Sequence, residues 1–104
     1  MGIMILSDNG MEELSLLGFY GVLSCLEKNL GISFSGGTQN GLIVADAKVN
    51  LGEPMVVRLA YVGSSAYCTV TSLKSGFVSY RATYNSNFVD GILGYMKSLM
   101  SRGF

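Results

Sequence analysis

Histidine and tryptophan are absent from this 104-residue chain, and proline occurs once. Without histidine the commonest general base, proton shuttle and metal ligand is missing, so such chemistry would fall to carboxylates, lysines or thiols. Charge is scarce too. Charged residues make up 13% of the chain, and seven Lys+Arg balance seven Asp+Glu, which removes the simplest electrostatic ground for a nucleic-acid or anionic-membrane partner. The two cysteines, Cys25 and Cys68, show neither metal nor redox spacing and are expected to be reduced and buried. The uncharged stretch between Leu14 and Leu26 falls short of the roughly 20 residues that span a bilayer. Met1–Leu6 is apolar, but no Lys or Arg precedes it and no small-residue cleavage site follows, so it does not read as a secretory signal. It reads as a short strand or a helix lead-in, and the expected location is cytoplasmic.

What is present is apolar: 49% of residues are hydrophobic, too many for a disordered chain. The length predicts one domain, 1–104, with no linker and no internal repeat. Asn9, three residues before Glu12, suggests a capping-box helix start near Gly10, with Glu12 and Glu13 in the first turn, Lys28 in the last and Gly31 as a left-handed stop. Met11, Leu14, Leu17, Leu23, Leu26 and Leu30 form its apolar face, widened by Leu16, Phe19, Tyr20 and Val22. Gly18 and Gly21 would admit a close neighbour, the helix's own sheet before another molecule. From Ile32 to Tyr84 the period changes to two, with turn signals at Asn40-Gly41, around Gly52, at Gly63-Ser64-Ser65 and at Ser75-Gly76. Strands are expected over 32–38, 42–49, 55–62, 66–74 and 77–84. A second helix is expected over 88–101, capped by Asn87 and stopped by Gly103. Its stripe runs through Phe88, Ile92, Tyr95, Leu99 and Val89, Leu93, Met96, Met100. The fold class is α+β: an N-terminal helix, a four- to five-stranded antiparallel β-meander and a C-terminal helix, with both helices packed on one face of the sheet.

Alternation across the pleat allows the register to be tested. Centring the turns sets Ile43 against Tyr61, Ala45 against Leu59, Ala47 against Val57 and Val49 against Met55. The next hairpin, centred on Ser64, sets Tyr61 against Tyr67, Leu59 against Thr69 and Val57 against Thr71. The last sets Tyr67 against Tyr84, Thr69 against Ala82, Thr71 against Tyr80 and Leu73 against Val78. One face then carries no charge and takes Ile32, Phe34, Gly36 and Thr38 as well; the helices should cover it. The opposite face would hold Asp46, Arg58, Val70 and Arg81 in one row, with Leu42, Val44, Val56, Val62, Cys68, Phe77 and Ser79 around it. Such apolar content on an outward face marks a partner site, although valine's strand propensity alone could account for it.

Candidate chemistry is thin. Cys25 lies mid-helix and Cys68 mid-strand, on opposite sides of the proposed sheet, so neither a reactive thiol nor a disulfide between them is expected. The acidic residues occupy capping, turn and surface positions. Ser35-Gly36-Gly37-Thr38 lacks the Gly-Lys-Ser/Thr ending of a phosphate loop and reads as a bulge or a flexible strand edge. The methionines, Met11, Met96 and Met100 among them, read as core filler before an adaptable surface. No catalytic residue, metal or cofactor is predicted. The leading expectation is a non-enzymatic intracellular protein-interaction module, of adaptor or inhibitor type or a homodimer, docking through Val44, Val56, Arg58, Val62, Val70, Phe77 and Arg81. The alternative is a single-stranded nucleic-acid binder using Tyr61, Tyr67, Tyr80 and Tyr84; in the expected register these lie opposite the arginines. A small-molecule pocket between helices and sheet, lined by the tyrosines, ranks third.

Overall fold

The computed structural model describes residues 12–102. Helix α1 (Leu16–Leu30) is followed by strands β1 (Ser35–Gln39), β2 (Leu42–Asn50), β3 (Pro54–Val62), β4 (Ser65–Ser72) and β5 (Val78–Thr83), then helix α2 (Phe88–Arg102). The strands form one antiparallel sheet in the order β1-β2-β3-β4-β5, and both helices pack with it on the same face. The α+β arrangement is therefore the one expected. Among the described residues, no helix is long and apolar enough to cross a membrane.

Helix α1 starts later than expected. Asn9 and Gly10 lie outside the described residues, but Glu12 and Glu13 precede the helix instead of filling its first turn. The cap is Ser15, whose Oγ accepts from the Gly18 amide at 3.0 Å. Backbone pairing holds the lead-in: Glu12 N–H donates to Tyr84 O, and Leu14 N–H to Ser64 O. At the other end Gly31 adopts φ 67° and closes the helix by donating to Glu27 O, as its position predicts. With the start moved, the buried face becomes Phe19, Val22, Leu26 and Leu30, while Leu17 turns outward at 82% exposure, with Leu16 and Tyr20 beside it. Gly18 packs against Leu14 and Ser15 and Gly21 faces open space, so neither seats the helix on the sheet.

At the start of α2 it is the Asn85 side chain that accepts, from Asn87 N–H at 2.8 Å, and no Asn87 side-chain cap is present. Gly103 and Met11 lie outside the described residues. Phe88, Ile92 and Met96 are fully buried against Phe19, Leu26, Val57 and Leu59, each such side chain contributing about 1.5–3 kcal/mol of burial. Tyr80 stacks on Tyr95 with ring centroids 4.7 Å apart, and Tyr95 Oη donates to Ser79 Oγ.

All four strand pairings bear directly on the register. Asn40 (φ 51°) and Gly41 (φ 82°) form a two-residue hairpin turn of the left-handed kind and pair Gly36 with Ala45. The β2–β3 pairs are those expected, Ile43–Tyr61 through Val49–Met55. Between β3 and β4 the register differs by one. The turn is Gly63-Ser64 alone, with Ser65 already opposite Val62, so Tyr61 faces Ala66, Leu59 faces Cys68 and Val57 faces Val70. A one-residue slip moves every side chain of the strand to the other face. Ala66, Cys68 and Val70 accordingly join the core, and Tyr67, Thr69 and Thr71 go to the open side. The next pairing regains phase through a bulge: Val70 faces Tyr80 but Thr71 faces Val78, leaving Ser79 as the extra residue. Tyr80, Ala82 and Tyr84 thus keep the helix side, and Ser79 is turned there as well by its contact with Tyr95.

Candidate interaction surface

Two helices on one face leave the other face of the sheet uncovered among the described residues. Its centre is one row across neighbouring strands: Asp46, Arg58, Thr69, Arg81. Thr69 stands where Val70 was expected. Arg58 forms a two-pronged pair with Asp46, Nε to Oδ1 at 2.7 Å and Nη2 to Oδ2 at 2.9 Å. This hydrogen bonding, then the Asp46 charge, raises the Arg58 pKa further. Both side chains are well exposed, so the pair is worth about 0–1 kcal/mol and serves orientation more than stability. Arg81 is exposed and has no ion-pair partner among the described residues.

The row on one side of this line is Val44, Ala60, Tyr67, Thr83; the row on the other is Lys48, Val56, Thr71, Val78. Val44 and Val56 are half-buried by their neighbours, and Ala60 is fully buried at the foot of the larger side chains. Val62 (43%), Tyr67 (37%) and Leu73 (51%) are the exposed apolar groups on and around this face. Val56, Arg58, Thr69, Thr71 and Leu73 enclose a shallow depression of about 190 Å³.

Of the seven residues expected to bind a partner, Val44, Val56, Arg58, Val62 and Arg81 share this face. Val70 does not; it is fully buried in the core because the tighter turn flips β4. Phe77 sits just ahead of β5, 68% exposed, with its carbonyl accepting from Ser72 N–H, and is an outlying group instead of a member of the ladder. Tyr67 and Leu73 were missed. Their signal was available: Ala, Cys and Val are more often fully buried than Tyr and Thr, which favours the register that hides Ala66, Cys68 and Val70.

The same slip corrects two further expectations. Cys68 lies on the helix side, like Cys25's helix, and both thiols are free. Burial pushes the Cys68 thiol up to about 12, away from nucleophilic use. The four tyrosines do not share a face: Tyr61, Tyr80 and Tyr84 pack against the core and Tyr67 alone points outward among the arginines. A groove of about 400 Å³ between α1 and the β1–β2 edge is lined by Tyr20, Leu23, Glu27, Phe34 and Gly36, not by the sheet tyrosines. Glu27 is occupied there in accepting from the Phe34 amide. Ser35–Gln39 pairs regularly with β2 and contains no bulge. No group of three metal-ligating side chains occurs among the described residues. Compared with known proteins, the chain matches no family model, no curated protein and no solved structure.

Proposed function

We propose that this chain is an intracellular protein-interaction module that carries out no reaction of its own and docks a protein on the open face of its sheet. The observation that carries the reading is the composition of that face. Half-buried valines, Val62 and Tyr67 surround a line of charged groups, where a sheet surface left to water would be uniformly polar. Arg58 and Arg81 set orientation and the aliphatic groups supply contact area. Two free cysteines fit a reducing compartment. Hydroxyl-radical footprinting tests the reading. Tyr67 and Val62 should be labelled in dilute purified protein and protected when it is added to a concentrated cell extract, with exposed Leu17 as the internal reference. Equal labelling of Tyr67 and Val62 in both conditions would exclude docking there.

A second reading has one observation in its favour: Tyr67 stands on the same face as Arg58 and Arg81, so a stacking ring and phosphate-binding cations do coincide. A single ring is a small platform, and the chain is neutral. Retention of a labelled single strand at about 50 mM salt, lost as salt rises, would favour this reading; no retention at that salt disposes of it.

A further inference from the structure

We infer that the occupant of the open face is a second copy of this chain, related by a two-fold axis parallel to the strands and running between β3 and β4; the inference rests on the docking reading above. The charges select the axis. Along the central row the groups read acidic, basic, neutral, basic: Asp46, Arg58, Thr69, Arg81. A face-to-face pair of sheets admits two in-plane two-folds. One running along the row would set Asp46 on its own mate and each arginine on its own mate, a line of like-charge contacts. The axis parallel to the strands reverses the row instead. β2 then lies over the partner's β5 and β3 over its β4, so Asp46 meets Arg81 and Arg58 meets Thr69, each twice by symmetry.

Size complements charge in the neighbouring row. Reversal sets exposed Tyr67, the largest side chain there, across from the other copy's Ala60, the smallest and already covered by its own neighbours, so large does not meet large across the axis. Packed sheets cross at about 30°, a rotation that the same two-fold tolerates and that long Arg81 side chains can follow. About this axis the four strands β2–β5, six to nine residues long, overlap across about 19 by 27 Å at ordinary spacings, close to 500 Å² on each copy. The total approaches the lower bound of stable specific interfaces. The unpaired Arg81 thereby gains a carboxylate neighbour, Asp46 of the second copy, whose two oxygens are held by Arg58 but keep lone pairs for a further donor.

Sedimentation velocity of the purified chain from about 1 to 200 μM should show a monomer–dimer equilibrium. Arg81→Asp and Asp46→Arg should each weaken dimerisation at least tenfold, since each creates like-charge contacts across the axis. Mixing the two variants should restore association, because the mixed dimer regains both opposite-charge contacts. Circular dichroism melting of each variant separates lost association from lost folding. A chain that stays monomeric throughout overturns the inference, and so does a dimer indifferent to both substitutions and to mixing. The docking reading is judged separately by footprinting: protection of Tyr67 in extract with a monomeric purified chain keeps that reading and removes the second copy.

Discussion

Ser72 is the buried polar residue of the described core, and its hydroxyl has three partners. It donates to Glu53 Oε1 at 2.9 Å and accepts from the amides of Lys74 and Ser75, closing the turn into β5. Ser72→Ala removes those bonds and leaves two amides and a carboxylate to find water, so a loss of about 2 kcal/mol is expected in urea unfolding. Ser65 is the opposite case: its Oγ is buried and unpartnered, and Ser65→Ala should leave stability unchanged or raise it by up to about 1 kcal/mol. Equal effects at the two positions would mean that these hydroxyl environments are wrongly assigned. Cys68 supplies a pH dependence. Its thiol rises from 9.0 to about 12 on burial, so the folded state keeps a proton that the unfolded chain gives up. Stability is therefore full below about pH 9 and declines as the pH climbs toward 12, by an amount on the order of 1 kcal/mol at pH 10. Cys68→Ala lacks this thiol, so its unfolding free energy should fall less than that of the natural chain between pH 8 and 10. Parallel curves would refute the assignment.

At the level of elements, the turns decide how far the sequence alone specifies the register. Asn40-Gly41 has one good solution, a two-residue turn with both residues at positive φ, and β1–β2 follows from it. The loop around Gly52 is equally directive, and the Asp46–Arg58 pairing confirms its register. Gly63-Ser64-Ser65 admits two lengths. Gly63 at φ 62° opens the shorter one, and the choice moves β4 by one residue, which is why the open face was legible on β2 and β3 but inverted on β4. The bulge at Ser79 then hid the error downstream by returning Tyr80 and Ala82 to the core side. Helix starts were obscured similarly, because several polar residues precede α1 and only one becomes its cap. That difference is measurable: Ser15→Ala should cost about 1 kcal/mol, whereas Glu12→Gln and Glu13→Gln, outside the helix, should change stability by less than about 0.5 kcal/mol. Larger losses at the glutamates would restore the earlier helix start.

For the whole molecule, one consequence of the flipped strand is that two valines only eight positions apart belong to different regions. Val70 lies at 0% exposure among the helix-side core, and Val62 at 43% on the rim of the open face. A glutamate at position 70 would have to bury its carboxyl among Val57, Tyr80 and their neighbours or push the sheet from its helices. The cost is several kcal/mol, a large part of the 5–15 kcal/mol by which ordinary domains are stable, and the chain should fail to melt cooperatively. Val62→Glu meets water at once and should keep the melting temperature within a few degrees while weakening association through the face. Thermal melting followed by circular dichroism, alongside sedimentation, gives both readouts on each variant. A folded Val70→Glu chain with lost association would place residue 70 on the surface and reverse the β4 register. A Val62→Glu chain that loses its fold would make the open face part of what holds the molecule together, leaving it no role as a surface kept for a partner.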